Sequence, residues 1–538
     1  MKKHIKIALI IVSSLLLVAC ATLSKKSETK LYVNDWPAFS LSYPAHWLKK
    51  TSDSKFVFRA EAPKGFPAFR IAIISNMDMP LKYSTSIYLP ELSNMGKDIN
   101  VFYDKKAKLK DGTPAQEVEL EWVTNAGIKL NTLFLTAKKD DIWILVTVSD
   151  TKGRIEGDLR KIPYSLKIKP VKEAPISYSY KVPEQTADGW QTAHVAEANL
   201  DEKILTDLIK NILNEKYKDI HSVLIVKDGK LVLEEYFPGQ DYERDHISFT
   251  RDDMHGIASV TKSFASTLIG IAIDKGMIKG TDQNLISFFP EHKKLLGENG
   301  KKIKLRHILS MTAGFDWDET TFLYNDSHNP YWIMLGPERE HIIEYILSRP
   351  IKSQPGVEFT YNSGLSLLLG AIVEKRSSIK NKDFAQKYLF GPLGISKYEW
   401  GYWDAAGKVP RTDGGLYLLP RDMAKFGYLF VNGGKWKGRQ IISAKWIEEA
   451  TKERIKLYPM MATGYGYQWW LYEFIMNNEI IKSYVADGWG GQRIFIFPTL
   501  DMVVVFTAGN YSTPHSQVFN MMYDMVNKHI LPAIVSSK

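Results

Sequence analysis

Gly256-Ile257-Ala258-Ser259-Val260-Thr261-Lys262-Ser263-Phe264 leads into a run from Ala265 to Lys275 that is almost wholly apolar and stops at Gly276. A helix without a broad polar face must be buried, and glycine is the usual residue just past a helix end. Ser259 therefore opens a buried helix, with Lys262 one turn on and on nearly the same side. That spacing has a chemical meaning. An amine stacked over a serine hydroxyl can take its proton only when it is itself neutral. Burial and the positive end of the helix dipole both push a lysine below its ordinary value of about 10.4. The free N–H groups of the same helix end can hold an oxyanion. Ser27, Ser52, Ser149 and Ser377 also have a lysine three residues later, but none of them opens a buried helix. Taken alone, the segment reads equally as a nucleophile or as a plain helix cap.

The flanks supply a frame. His221 to Tyr236 reads as two strands joined at Asp228-Gly229, a strong hairpin signal between Val-Leu-Ile-Val and Leu-Val-Leu. Arg493 to Phe497, a Pro-Thr-Leu-Asp turn and Met502 to Phe506 form a second hairpin, followed by a helix through Asn527. Leu200 to Lys216 has helical periodicity, and Met254 to Ala450 is mostly helical segments and long loops. The expected fold class is α/β: one antiparallel sheet assembled from both ends of the domain, flanked by helices, with a helical insertion. Pro355 to Gly364 is a turn ahead of the apolar helix Leu365 to Val373, which puts Tyr361 on a loop. Asp487-Gly488-Trp489-Gly490-Gly491-Gln492 enters the strand at Arg493, and its glycines let another backbone or a ligand come close.

Ser-x-x-Lys, a loop tyrosine about 100 residues on and a glycine-rich strand entry, in that order, resemble the serine β-lactamase and penicillin-binding protein superfamily. The likeness is strongest to the class C β-lactamase-like branch with its esterases and 6-aminohexanoate-dimer hydrolases. It spans roughly Asp188 to Ile534 and takes in Leu305 to Gly314, Gly414 to Gly427 and Tyr465 to Trp470. The resemblance implies an acyl-enzyme mechanism with Ser259 as nucleophile, Lys262 as its base and Tyr361 shuttling the proton to the leaving group. It also implies an oxyanion hole from the backbone N–H groups of Ser259 and Gln492, and no metal or other cofactor.

Two departures bear on substrate. Members acting on β-lactams carry Tyr-x-Asn, whereas here Ser363 holds the third position and Asn362 is shifted by one. They also carry Lys or His, then Thr or Ser, then Gly on the strand, where this chain has Trp489, Gly490 and Gly491. A cation and a hydroxyl there would hold a substrate carboxylate. The expected substrate is thus a neutral small-molecule ester or amide, contacting Asn362, Ser363, Trp489, Gly490 and Gly491, with Trp489 as an apolar wall. A wall-directed DD-peptidase or β-lactamase using another cation such as Arg493 is the alternative, and a non-catalytic sensor keeping the fold is a third reading. No Gly-x-Ser-x-Gly elbow and no His-Glu-x-x-His occurs.

The N-terminal half is organised differently. A basic stub, Met1 to Lys6, precedes an apolar run from Ile7 to Ala19 that is too short to span a bilayer, which takes about 20 residues. Residues 1–19 read as a signal peptide. Leu17-Val18-Ala19-Cys20 resembles the lipobox of bacterial lipoproteins, implying a lipid-carrying Cys20, the only cysteine. The expected location is the cell envelope: the outer membrane or periplasm if the source has two membranes. Residues 20–30 form a polar tether, 31–170 an α+β domain, 171–187 a proline-bearing linker and 188–538 the hydrolase domain. In the α+β domain, strands are expected at Phe39 to Tyr43, Phe56 to Phe58, Arg70 to Ile74, Ala115 to Trp122, Asn131 to Thr136 and Ile142 to Val148, and a helix at Leu81 to Asn94. Its opening at Phe39 to Trp47 and its close at Tyr164 to Ile168 resemble PsbP-like domains, implying binding or scaffolding. The net charge of +10 is spread over 538 residues without a basic stripe, which speaks for anionic lipid or wall polymer and against nucleic acid.

Overall fold

The computed structural model describes residues 29–535 except 35–38, 51–57, 75–79, 86–88, 90–91, 94–95, 140–141, 169–177, 242–245, 322–325, 337, 458–461 and 514. The apolar run, Cys20 and most of the tether lie outside the described residues, as does part of the linker. The chain forms two compact units, Met1–Glu173 and Ala174–Lys538. No helix among the described residues is long and apolar enough to cross a membrane.

The N-terminal unit is a strand-rich domain. Its main sheet is antiparallel, in the order Leu48–Lys50, Phe58–Glu61, Ala68–Ile74, Ile142–Asp150, Lys129–Lys139, Pro114–Thr124, Gly96–Lys108. A small sheet of Thr29–Asn34, Phe39–Pro44 and Lys167–Ile168 stands apart. Alternation along the strands sends Leu133, Leu135, Val146 and Val148 into one apolar cluster with Phe39 and Phe69, and Val118, Leu120 and Phe134 into another. The expected strand at Phe56 to Phe58 is observed at Phe58–Glu61, with residues 56 and 57 outside the described ones. Of the expected helix at Leu81 to Asn94, Leu81–Tyr83 forms a 3-10 turn and Ser84, Thr85, Leu89, Leu92 and Ser93 are helical, the remaining positions lying outside the described residues.

In the C-terminal unit, nine strands form one sheet. Their order is Gln191–Thr192, Lys230–Tyr236, Ile220–Lys227, Met502–Ala508, Gln492–Phe497, Glu479–Gly488, Trp470–Met476, Gly464–Tyr465, Ile455–Lys456. The expected assembly from both ends is what is seen: Leu224 pairs with Val505, and every pairing is antiparallel except the two-residue Gln191–Thr192. The first hairpin closes at Lys227↔Lys230 around Asp228 (φ 51°) and Gly229 (φ 74°). Two successive left-handed residues give the twist a two-residue hairpin needs.

The Ser259 segment is a 3-10 turn, Ala258–Val260, running into the α-helix Thr261–Asp274, which is buried from Thr261 through Ala272. Phe264 stacks on Phe426 of the helix Pro420–Val431, with ring centroids 3.6 Å apart and planes at 14°. Each fully buried side chain of this size contributes about 1.5–3 kcal/mol. Such packing leaves the helix, and hence its N-terminal turn, little freedom.

Candidate active site

Backbone pairing fixes the approach to Ser259. His255–Gly256 pairs with Leu416–Leu418, and Ile257 N–H donates to the Leu416 carbonyl at 2.9 Å. Ala258 then takes a left-handed φ of 45°, a conformation L residues adopt at a cost, and turns the chain into the helix. Ser259 is left half-buried.

One turn on, Lys262 is enclosed, with 3% of its surface exposed. Its Nζ lies 2.9 Å from Ser259 Oγ and donates to the Asp413 carbonyl oxygen at 2.5 Å. Burial pulls the Lys262 pKa below its ordinary value, against the opposing charges of Asp413 and Glu319.

Tyr361 reaches the same hydroxyl. Its phenol is hydrogen-bonded with Ser259, and its ring stacks on Trp470 at 5.8 Å and 24°. The Lys262 ammonium position is 5.2 Å from the Tyr361 ring centre. Burial, and next Glu319, raise the phenol well above its ordinary range, so Tyr361 carries its proton at neutral pH. Two groups, one from the serine's own segment and one from the tyrosine loop about 100 residues on, thus converge on the Ser259 oxygen.

The two residues after Tyr361 are turned inward. Asn362 is 1% exposed and caps the helix Ser363–Ser377 by accepting from Leu365 N at 3.2 Å. Ser363 donates its N–H and Oγ–H to Glu319, at 2.8 and 2.7 Å. Ser363 is thus spent within the protein, which corrects the expectation that it faces substrate, while Asn362 is engaged there through its side-chain oxygen.

At the strand entry, Gly488 ends Glu479–Gly488, and a Cβ there would stand 2.5 Å from the Ile257 carbonyl oxygen and 3.3 Å from Ala258 Cβ. On another side, a Cβ on Gly414 would stand 3.6 Å from the Ala258 carbonyl carbon. Gly490 packs under Tyr511, and Gly491 packs on Met522, Ala508 and Val518. The glycine that meets the nucleophile's turn is therefore Gly488, and Gly490 and Gly491 touch other parts of the unit. Trp489 follows Gly488 directly, 36% exposed, its ring edge-on to Tyr511 at 5.3 Å. Gln492 is fully buried, its amide exchanging hydrogen bonds with the Ala508 backbone at 2.6 and 3.2 Å. Arg493, the alternative anchor for a substrate carboxylate, has no exposed surface and is held by both oxygens of Asp487 at 3.0 and 3.1 Å. That role is corrected: the guanidinium is already paired, inside the protein.

Two features escaped the sequence. Asp413 matters through a carbonyl oxygen, which no side-chain pattern announces. Its carboxylate takes the Tyr331 hydroxyl at 2.7 Å and Trp403 Nε1 at 2.8 Å. Glu319 is a lone loop carboxylate without a motif. Among the described residues no group of three His, Cys, Asp or Glu side chains could hold a metal ion.

The Beta-lactamase family model matches residues 216–518. The 6-aminohexanoate-dimer hydrolase of Paenarthrobacter ureafaciens is 25% identical over 301 residues, covering 52% of this chain and 70% of that protein. Among solved structures, EstCE1, a hydrolase with promiscuous acyltransferase activity, aligns with a TM-score of 0.49 at 16% identity over 62% of this chain and 99% of its own. The D-amino acid amidase of Ochrobactrum anthropi SV3 aligns with a TM-score of 0.46 at 17% identity over 62% and 99%.

Proposed function

The chain belongs to the beta-lactamase family and is a serine hydrolase with the β-lactamase/transpeptidase-like fold in its C-terminal unit, and from that premise we propose that it cleaves neutral esters or amides through an acyl-enzyme on Ser259. The observation that carries this reading is the convergence of Lys262 Nζ, at 2.9 Å, and the Tyr361 phenol on Ser259 Oγ. Neutral Lys262 takes the hydroxyl proton as Oγ attacks the carbonyl carbon. The proton passes through Tyr361 to the leaving oxygen or nitrogen as that bond breaks, and water then releases the acyl group by the same relay. The oxyanion is held by the Ser259 N–H and a second N–H at the strand entry. Motif spacing names Gln492 for that donor, while the contact of Gly488 with Ile257 favours Trp489. One such donor is worth about 10²- to 10³-fold in rate.

A neutral substrate follows from the strand. Trp489, Gly490 and Gly491 bring no cation, and Arg493 is occupied by Asp487. Labelling with a fluorophosphonate and a fluorescent penicillin side by side, then steady-state kinetics on a p-nitrophenyl ester and a chromogenic cephalosporin, tests it. The ester should have the higher kcat/KM, and the reverse order would defeat the substrate assignment.

The same proposal sets this chemistry at the cell envelope, with lipid on Cys20. It rests on the apolar run ending at Leu17-Val18-Ala19-Cys20. Mass spectrometry of the membrane fraction should find a lipidated N-terminal Cys20, and a soluble chain starting upstream of it would refute the anchor.

A further inference from the structure

Glu319 belongs to none of the motifs, yet it is 1% exposed and beside the reacting groups. One carboxylate oxygen accepts from Ser363 Oγ at 2.7 Å. The other accepts from Ser363 N at 2.8 Å and from Trp317 Nε1 at 2.7 Å. Taking a carboxylate out of water costs several kcal/mol unless it is paired and hydrogen-bonded. Burial raises the Glu319 pKa above its ordinary value, and the charge of Lys262 and the three neutral donors from Ser363 and Trp317 oppose that and favour the ionised form.

The other groups facing Lys262 are accounted for. Asp413 gives Nζ its carbonyl oxygen, and its carboxylate is bonded to Tyr331 and Trp403. Ser259 supplies the hydroxyl and Tyr361 its ring face. Asp487, which also acts on Tyr361, is matched by Arg493. Glu319 and Asp413 are thus the two carboxylates around the amine that are held by neutral donors, and Glu319 is the one tied to the tyrosine loop.

During acylation the Ser259 Oγ–H bond breaks, Oγ–C forms, and the proton arrives on Lys262 Nζ, creating an ammonium where burial disfavours one. A fixed negative charge nearby offsets that cost. Ser363 ties the same carboxylate to the chain two residues beyond Tyr361. We propose that Glu319 is a positioning residue, which through Ser363 holds the Tyr361 loop in place and supplies the negative charge against which Lys262 becomes an ammonium ion. The proposal rests on the roles given above to Ser259 and Lys262. It also gives the third position of the tyrosine motif a use: the serine there anchors a charge inside the protein.

The test is the pH dependence of the rate at which a fluorophosphonate labels Ser259 in the full chain, which needs no knowledge of the natural substrate. Glu319→Gln should move the acid limb down by about one pH unit, because the amine loses a neighbouring negative charge, and should lower the plateau rate about tenfold or more. Glu319→Asp, which withdraws the charge by one methylene, should fall between wild type and Gln, and it carries the test if the Gln variant does not fold. A lower plateau with an unmoved limb would mean that Glu319 only packs the loop, and an upward shift would contradict the sign; either overturns the inference. A wild-type chain that is not labelled at all would overturn the proposed nucleophile and this inference with it. Labelling with an unmoved limb overturns the inference alone.

Discussion

Arg493 and Asp487 face each other across a register pair of adjacent strands, joined by two hydrogen bonds of 3.0 and 3.1 Å, with no surface of the arginine exposed. Arg493 Nη1 also donates to the Val518 carbonyl at 3.2 Å. Removing one partner of such a pair leaves an uncompensated buried charge, at a cost of about 3–5 kcal/mol. Arg493→Ala should therefore lower the unfolding free energy of the C-terminal unit by that amount in a denaturant titration. A loss below about 1 kcal/mol, the scale of an exposed pair, would show that the guanidinium is not locked as described.

For the reacting groups, Ser259→Ala and Lys262→Arg should each reduce kcat/KM by about 10⁴-fold or more, since a hydroxyl without a base is a poor nucleophile and guanidinium stays protonated. Tyr361→Phe should lower turnover by about 10²- to 10⁴-fold. Because burial depresses the Lys262 pKa and the neutral amine is the working form, wild-type activity should rise as pH rises through that depressed value. Burst and steady-state rates on variants with wild-type circular dichroism check this. A folded Lys262→Arg enzyme with near-normal acylation would overturn the mechanism even if Ser259 proved essential.

Gly488→Ala would push a methyl into the Ile257 carbonyl, 2.5 Å away. The turn carrying Ser259 must shift or the strand must end early. Small displacements of reacting groups can cost about 10²-fold. The expected result is a loss of that order in kcat with little change in far-ultraviolet circular dichroism. Unchanged kcat would show that Gly488 does not set the position of Ser259.

The Asp228-Gly229 hairpin, the buried Ser259 helix and the loop tyrosine were legible because each has a local cause: two left-handed residues, an apolar run, a turn before a second apolar run. Gly96–Lys108 was not. It is an edge strand with most side chains exposed and four lysines, Lys97, Lys105, Lys106 and Lys108, so the two-residue alternation that reveals a half-buried strand is missing. Charges suit such an edge because they discourage pairing with another chain. Glu319 and the Asp413 carbonyl were invisible for a different reason: their partners lie 44 and 151 residues away, and a single carboxylate or a backbone oxygen has no pattern. At the strand entry the glycines were noticed, but which of them meets Ala258 depends on where the strand ends, and that register is set by pairing across the sheet.

His255 is 4% exposed, and burial lowers its pKa to about 4, only partly opposed by the Gly256 carbonyl and Asp241. Its Nε2 lies 2.8 Å from Nδ1 of His221. The folded-state value is below the unfolded one of about 6.5, so the unfolded chain binds more protons between those values. The neutral form's stability is fully present above about pH 6.5 and is lost as pH falls towards 4, by about 3 kcal/mol for this residue alone. Denaturant midpoints at pH 7.5 and 4.5 should differ accordingly, and His255→Gln should narrow the gap. Equal midpoints would show that His255 does not stay neutral in the fold.

In the sheet, Ile220–Lys227 lies between Lys230–Tyr236 and Met502–Ala508. During synthesis one edge of that strand, bearing the apolar run Val223 to Val226, stays open until residue 508 has left the ribosome. Long-range pairing of this kind is slow and leaves edges exposed to other chains. The strands of the first unit, by contrast, are all made before residue 174. A message that lost only its last few dozen codons would still encode Ser259, Lys262, Tyr361 and Gly488, yet its product would lack the strand that joins Ile220–Lys227 to Gln492–Phe497, and every motif would be present in a chain whose sheet is split in two.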